Sequence, residues 1–217
     1  NLPALEAVLV AAAPYDALWQ LGDIVGYGPQ PNEVVARLAA EGALGVRGNH
    51  DSAAVGELPT DAFNEDARTA IEWTAGQLDG AAREWLAGLP LVDGRDSFTL
   101  VHGSPRDPDW EYLFSSSVAR ANLAALSTPY CLIGHTHVPL CFRESDGRLE
   151  QLRPGGAALA LDERRAFLNP GSVGQPRDGD PRACYVLLRD DGTFAFRRVP
   201  YTVEKTVEKI YATRGLD

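Results

Sequence analysis

The chain has 217 residues, of which 45% are hydrophobic and 23% are charged, and its formal net charge is −10 at pH 7. This composition is typical of a globular protein with a sizeable core and argues against a disordered chain. The acidic balance also argues against broad binding to a nucleic-acid backbone, so an anionic substrate would have to be attracted locally, for example by bound cations.

The first half of the chain alternates helices with short strands. The spacing of apolar residues predicts a helix at Leu2–Ala12 and a second helix at Pro31–Ala40, which has proline near its first turn. Short apolar runs predict strands at 17–21 and 44–47, and a mainly helical segment follows at 61–89. Helices that alternate with strands at this spacing indicate a βαβ-type layered domain.

The second half begins with two strands, at Phe98–Val101 and 131–133, with a helical segment at 117–126 between them. From Pro139 onward the pattern changes to short strands separated by turns, and the dipeptides Asp146-Gly147 and Asp191-Gly192 predict hairpins. A second, largely antiparallel sheet packed on the first is therefore expected. Its predicted strands lie at 140–143, 149–152, 157–161, 166–168, 184–188 and 194–199, and a helix follows at 203–213.

We expect a cytoplasmic protein with no membrane segment. No apolar run reaches the ~20 residues needed to span a bilayer, and residues 2–13 contain Glu6 and lack the basic start of a signal peptide. Cys131, Cys141 and Cys184 are sparse, odd in number and without Cys-x-x-Cys spacing, which predicts reduced, buried thiols. A structural zinc site that pairs two of them with nearby histidines is the alternative. Methionine is absent from the chain, so we expect translated residues before Asn1.

All four histidines lie in glycine-flanked motifs that follow or adjoin predicted strands: Gly48-Asn49-His50-Asp51, Val101-His102-Gly103 and Gly134-His135-Thr136-His137, with Gly22-Asp23 upstream. Neutral imidazole is a common ligand of transition metals, and a carboxylate such as Asp23 can bridge two cations. His135 and His137 are two residues apart, so in an extended segment they share a face and can reach cations about 3.5–4 Å apart. With the amide oxygen of Asn49, the set suits manganese, iron or zinc more than calcium.

His50 is assigned to the substrate, because adjacent residues rarely aim at the same atom and Asn49 is the candidate ligand. We expect His50 to act as a cationic hydrogen-bond donor that stabilises phosphoryl charge and protonates the leaving oxygen. Asp51 is a further candidate ligand, although capping the next turn or accepting backbone N–H groups is the preferred interpretation. Any single histidine could be an ordinary core residue, so the metal prediction depends on the agreement of all four.

These motifs resemble sequence blocks of the calcineurin-like metallophosphoesterases, together with Gly26-Tyr27-Gly28-Pro29, His102-Gly103-Ser104-Pro105 and residues 169–175. The chain is most similar to the bacterial branch of predicted phosphodiesterases related to diadenosine tetraphosphatase, and the resemblance covers nearly its whole length. The resemblance implies a dinuclear centre in which Asp23 bridges the ions. It also implies that Asn49, His102 and His135 complete one ion, that His137 serves the other, and that His50 faces the substrate.

The elements and the resemblance together predict an α/β fold, a four-layer αββα sandwich of two packed mixed sheets flanked by helices. Residues 1–217 would form a single domain whose first strand and Asp-x-His block precede residue 1, since Asn1 resembles the last residue of that block. The resemblance implies hydrolysis of phosphodiester or phosphomonoester bonds by a hydroxide activated by two divalent ions. Manganese is the first expectation, with iron, zinc and magnesium as alternatives. The expected partner is a small phosphoester, for which a nucleotide is one candidate.

Three residues are candidate substrate contacts: Arg106 and Arg177, each after a motif, for phosphate, and Tyr27 at the side of the pocket. Two alternatives to the dinuclear enzyme stay open. As the chain stands, the second ion would have only Asp23 and His137, so the protein could be a phosphoesterase-fold binding or scaffold module without turnover. It could also be a mononuclear zinc hydrolase that uses Asp23, His102 and His135. The sequence predicts no oligomeric state.

Overall fold

The computed structural model describes residues 1–152, 155 and 157–213, which form packed sheets flanked by helices. The helices are α1 (Leu2–Ala12), α2 (Pro31–Ala40), α3 (Asn49–Ala54), α4 (Glu65–Gln77), α5 (Gly80–Ala87), α6 (Ser116–Asn122) and α7 (Val203–Ala212). The strands are β1 (Trp19–Leu21), β2 (Leu44–Val46), β3 (Val92–Arg95), β4 (Phe98–Val101), β5 (Tyr130–Leu132), β6 (Leu140–Ser145), β7 (Arg148–Leu152), β8 (Leu159–Ala160), β9 (Ala166–Asn169), β10 (Ala183–Leu188) and β11 (Thr193–Val199).

The larger sheet has six strands in the order β3-β4-β5-β9-β6-β7, and β4, β5 and β9 run parallel at its centre. Successive side chains of a strand point to opposite faces. Accordingly, Leu100 and Leu168 belong to the apolar cluster on one face, whereas Val101 and Phe167 belong to the cluster on the other. Because both faces are covered, β9 is buried along its whole length.

A second layer covers one face of this sheet and is built from two smaller sheets. β1 pairs with β2 in parallel, whereas β8, β10 and β11 form an antiparallel sheet in the order β10-β11-β8. Trp19 of β1 and Phe194 of β11 pack into the same apolar cluster as Leu168 of β9. The two smaller sheets therefore lie side by side on the larger one.

Helices cover the outer sides of both sheet layers. Leu5 of α1 and Leu38 of α2 belong to a cluster with Leu18, next to β1, and α3, α4 and α5 form an adjoining cluster that contains Ile71. On the opposite side, Ala119 of α6 packs against the far face of the six-stranded sheet. The α/β prediction of packed sheets flanked by helices is thus confirmed. None of the helices in the described part of the chain is long and apolar enough to cross a membrane.

The predicted elements differ from the structure in three respects. First, β3 is missing from the prediction. Its residues are alternately exposed and partly buried, and its sequence contains Gly94 instead of an apolar run. Second, the strands after Pro139 do not all enter a second sheet, because β9 pairs with β5 and β6 and so draws β6 and β7 into the larger one. Third, the second layer is two sheets instead of one mixed sheet. The two Asp-Gly hairpins are confirmed.

Candidate metal centre

The motif residues lie just after the carboxyl ends of four strands. Asp23 follows β1, Asn49 follows β2, His102 follows β4 and His135 follows β5. β1 is parallel to β2, and β4 is parallel to β5, so within each layer the two motifs emerge at the same edge. Sites of open α/β sheets form at such edges.

Three of these side chains converge in a cluster. The ligand atoms offered by Asp23, His102 and His135 all lie within 4.8 Å of one another. The Oδ2 atom of Asp23 is 3.3 Å from Nε2 of His102 and 3.6 Å from Nε2 of His137. Nδ1 of His135 lies 3.0 Å from Nε2 of His102. Asp23 therefore lies near His137 as well as near the other two histidines, and the four side chains line a cavity of about 1000 Å³.

Two backbone carbonyl groups set the orientation of the imidazoles. Nδ1 of His102 lies 2.7 Å from the carbonyl oxygen of Leu21, and Nδ1 of His137 lies 2.8 Å from that of Gln175. A carbonyl oxygen can only accept, so both Nδ1 atoms carry the proton and donate it. Each Nε2 atom of the neutral imidazole then directs its lone pair towards Asp23. Metal-binding histidines are typically held in this way.

Asn49 and His50 contribute buried polar atoms beside the cluster. Asn49 is 2% exposed, and its Oδ1 atom has no hydrogen-bond partner among the described residues. Leaving such an oxygen unsatisfied costs about 1–3 kcal/mol, and coordination of a cation would satisfy it. The backbone N–H of His50 donates to Oδ1 of Asp23 at 3.1 Å, and its ring packs between Tyr27 and Phe63 with centroid distances of 4.6 and 5.1 Å.

The electrostatics of the cluster favour the carboxylate form of Asp23 and the neutral form of His135 and His50. Burial raises the pKa of Asp23, but the imidazoles of His102 and His50 outweigh burial and hold that pKa well below its usual range. Burial and the neighbouring His102 lower the pKa of His135 to about 3, and burial also lowers the pKa of His50. Burial opposes the charge of His102, but Asp23 prevails and raises its pKa. A cation beside Asp23 would thus compete with that proton.

The backbone is left-handed at three of these positions. Asp23, His135 and His137 have φ angles of 53°, 59° and 57°. Such a conformation costs a residue other than glycine about 1–3 kcal/mol, and it is concentrated at functional sites where the surrounding structure enforces it. The strained positions are thus three of the residues that line the cavity.

Asn169 holds the turn that carries His135 and His137. It is fully buried at the end of β9, and its Nδ2 atom donates to the carbonyl oxygen of Gly134 and, at 3.0 Å, to Oγ1 of Thr136. The sequence offers a signal for this residue, because residues 169–175 are among the segments that resemble the family. The sequence by itself assigns them no role. The role of Asn169 in the structure is to support the histidine turn.

Two glycines of the first motif allow the close approach of histidines. A Cβ atom on Gly22, where φ is 82°, would lie 2.8 Å from Nδ1 of His102. A Cβ atom on Gly26, where φ is 113°, would lie 2.5 Å from Nδ1 of His50. Both positions therefore require glycine for conformation and for space.

Asp51 lies next to the cluster but is used by the backbone. Its carboxylate oxygens accept hydrogen bonds from the backbone N–H groups of Val25 and Gly48, both at 3.0 Å. These contacts join the end of the first motif to the start of α3. They agree with the interpretation that Asp51 accepts backbone N–H groups. Both of its carboxylate oxygens are used in this way and not as metal ligands.

The three candidate substrate contacts are placed differently. Arg177 adjoins the cluster, because its backbone N–H donates to the carbonyl oxygen of His137 at 3.2 Å. Burial raises the pKa of Tyr27, and the guanidinium of Arg177 opposes that rise. Tyr27 and Arg177 are therefore neighbours at one side of the site. Arg106 instead pairs its guanidinium with Glu111.

The aromatic side of the site was missed by the sequence predictions. The ring of Tyr112 stacks on that of His135, with centroids 3.9 Å apart and planes at 25°. Trp110 packs on Phe63, which in turn meets His50 edge to face. The available signal is the alternation of aromatic residues at 110, 112 and 114 shortly after the His102 motif.

The cysteines lie in the core. Cys131, Cys141 and Cys184 are free and buried, and burial raises the pKa of each thiol, that of Cys141 to about 12. Cys131 and Cys141 belong to the clusters on opposite faces of the larger sheet. A zinc site that pairs them is therefore excluded, whereas buried thiols are confirmed. In the described part of the chain, the group around Asp23 is the one set of three or more potential metal ligands.

Comparison with known proteins agrees with this geometry. Residues 1–192 match the Calcineurin-like phosphoesterase superfamily domain. An uncharacterized protein of Methanocaldococcus jannaschii is 37% identical over 99% of this chain and 89% of its own length. A symmetrical bis(5'-nucleosyl)-tetraphosphatase of Nitrosococcus oceani is 35% identical over 52% of this chain and 42% of its own length.

Two solved structures have the same fold. A metallophosphoesterase from Sphaerobacter thermophilus superposes with a TM-score of 0.88 at 43% identity and covers 98% of this chain and 89% of its own. A hypothetical protein from Pyrococcus horikoshii gives a TM-score of 0.75 at 22% identity, with 98% and 88% covered, which shows likeness of fold alone. The chain belongs to the calcineurin-like phosphoesterase superfamily and is, in general terms, a metal-dependent phosphoesterase.

Proposed function

We propose that the chain hydrolyses a phosphodiester or phosphomonoester bond with the help of two divalent cations. Asp23 would bind both of them. Asn49, His102 and His135 would complete one cation site, and His137 would serve the other. The supporting observation is the convergence of two carbonyl-oriented Nε2 atoms, of His102 and His137, on one oxygen of Asp23 at 3.3 and 3.6 Å. When bound, the cations supply an activated water and neutralise phosphoryl charge.

His50 is proposed to act on the substrate. Its backbone N–H is tied to Asp23, so the residue is held beside the proposed bridging carboxylate, where a bound phosphoester would lie. Burial lowers the pKa of His50, which favours the neutral ring until an anion binds. A phosphoryl anion nearby would raise that pKa again and favour proton donation to the leaving oxygen.

Arg177 and Tyr27 are proposed to bind the phosphoryl group from the side of His137. Burial raises the pKa of Tyr27 and lowers that of His50; the charge of Arg177 opposes the first shift and adds to the second, as expected of a guanidinium near both side chains. The side chain of Arg177 is also held by Oε1 of Gln175 at 3.0 Å, so it is partly oriented before substrate arrives. Arg106 is the weaker candidate, because Glu111 occupies its guanidinium.

The substrate is proposed to be a small phosphoester, with a nucleotide as the leading candidate. The relative from Nitrosococcus oceani is named for a nucleotide substrate, although only half of this chain matches it. Nitrogen and oxygen ligands together suit manganese first, then iron, zinc or magnesium. Cations would also offset the acidic net charge of −10 where an anionic substrate binds.

The test is hydrolysis of bis-p-nitrophenyl phosphate with manganese, before and after chelation. Asp23→Asn keeps the size of the side chain but removes its charge, and we expect turnover to fall about 100-fold or more with weaker ion binding. The exposed Asp61 supplies a matched control, because Asp61→Asn makes the same chemical change away from the cluster. Absence of metal-dependent turnover in folded protein, or equal rates for Asp23→Asn and wild type, refutes the proposal. One ion per chain with full activity would favour the mononuclear alternative.

A further inference from the structure

Three nearly parallel rings lead from the metal centre to the protein surface. Tyr112 stacks on His135 at a centroid distance of 3.9 Å and an angle of 25°. Phe114 follows Tyr112 at 5.9 Å and 10°. Tyr112 and Phe114 therefore extend the cluster outward with nearly parallel aromatic rings.

The outer two rings are unusually exposed. Tyr112 is 46% exposed and Phe114 is 48% exposed, although aromatic side chains of this size are normally buried. The neighbouring Phe63 and Trp110 are partly buried and meet at 58°, which is ordinary core-like packing. Exposed apolar surface beside a polar site is a feature of ligand binding.

The segment that carries the two rings is fixed from behind by the residues that alternate with them. Oε2 of Glu111 accepts from Oγ of Ser104 and Nδ2 of Asn122, both at 2.6 Å, and both donor residues are fully buried. Leu113 is fully buried in the core cluster that covers the far face of the larger sheet. Tyr112 and Phe114 are thus held in place before any ligand binds, which reduces the entropic cost of binding.

We propose that Tyr112 and Phe114 form a stacking platform for the nucleobase of a nucleotide substrate whose phosphate lies at the metal centre. Every nucleobase presents a flat π face, and stacking on an aromatic side chain needs no hydrogen bonds from the protein. Phe114 lies two ring-to-ring steps, of 3.9 and 5.9 Å, from His135, so an extended nucleotide can reach from the metal centre to the platform. This inference rests on the proposed function. It concerns the nucleobase, which is the part of the substrate that does not react.

The test compares two ligands that differ only by the base, adenosine 5′-monophosphate and ribose 5-phosphate. Both are used as phosphonate analogues, in which a carbon–phosphorus bond replaces the ester bond, so the manganese-loaded protein cannot hydrolyse them. Their affinities are measured by calorimetry. We expect the nucleotide to bind more tightly than the sugar phosphate. Phe114→Ala should weaken nucleotide binding about 10-fold, within the range found when base stacks are removed, and should leave sugar phosphate binding within about two-fold.

Tyr211 supplies the matched control, because it is 76% exposed on α7 and Tyr211→Ala should change neither affinity. Phe114→Tyr should restore the affinity for the nucleotide, since it restores the ring. Equal binding of the two ligands to wild type, no measurable binding of either, or an equal loss for both in Phe114→Ala would overturn the platform. Metal-dependent hydrolysis of bis-p-nitrophenyl phosphate alongside such a result would leave the proposed function standing, whereas its absence would refute the function itself.

Discussion

Replacement of Gly26 by alanine should separate the role of His50 from that of the metal ligands. The new Cβ atom would lie 2.5, 2.8 and 3.0 Å from Nδ1, Cβ and Cγ of His50. Because the contact includes the Cβ atom of His50, rotation of the imidazole cannot relieve it, and the whole residue must shift. A φ angle of 113° adds backbone strain of about 1–3 kcal/mol.

We expect Gly26→Ala to lower kcat by about 100-fold for a phosphoester with an alcohol leaving group, whose oxygen needs a proton to depart; this is the lower end of the loss when general acid–base catalysis is removed. The number of bound ions should not change, because His50 is not among the proposed ligands. Gly42→Ala is the control, since Gly42 has a φ angle of 63° and an added Cβ would meet nothing within 4 Å. That variant should lose about 1–2 kcal/mol of unfolding free energy and keep its activity.

Steady-state kinetics, ion titration and urea unfolding of the two variants decide the matter. If Gly26→Ala retained kcat within about three-fold of wild type, the roughly 100-fold contribution expected of a general acid would be absent. His50 would then have no part in proton transfer. If Gly26→Ala lost ions in parallel with activity, His50 would have to be reassigned to the metal centre.

Further predictions concern Asp51, Glu111, Arg177 and the ions. Asp51→Asn should cost about 1–3 kcal/mol in urea unfolding, because one of the buried N–H groups of Val25 and Gly48 loses its acceptor; an unchanged midpoint would contradict this. Burial raises the pKa of Glu111, but hydrogen bonds from Arg106, Asn122 and Ser104 prevail and lower it below 4.5. The ionised form of Glu111 therefore stabilises the fold above pH 4.5, and this stabilisation is lost as the pH falls through the lower pKa of the folded state. The free energies of unfolding of wild type and Glu111→Gln should then converge as the pH is lowered from about 6 to about 3. Arg177→Lys keeps the charge but loses the planar fork, and should raise KM about 10-fold with a smaller effect on kcat; an unchanged KM would exclude Arg177 from the site. Chelation should lower Tm, and manganese should restore it in proportion to ion occupancy.

Local sequence patterns predict most of the elements but not the way the sheets divide. α1 and α2 have the predicted bounds, since their apolar spacing and early proline residues are local signals. The entry of β9 into the larger sheet depends on pairing with β5 and β6, which lie far from it in the chain. No local pattern distinguishes this arrangement from a separate second sheet.

The candidate ligands could be proposed from motifs because each follows a strand within a few residues. The carbonyl groups of Leu21 and Gln175, which orient His102 and His137, could not be identified, because backbone groups leave no trace in residue type. The stacking of Tyr112 on His135 depends on the path of a loop, so the sequence contains only the alternation of aromatic residues. The sequence thus indicates the chemistry, and the tertiary structure supplies its orientation.

The left-handed backbone at Asp23, His135 and His137 places stability and the proposed ion binding in opposition at the same three positions. Glycine would relax each of them by about 1 kcal/mol or more, and at each it would delete a proposed ligand. Random variants of this chain screened for heat resistance without added ions should therefore accumulate glycine at these positions and emerge inactive. A screen with saturating manganese should reverse that preference, because ions that bind only the native state offset the strain.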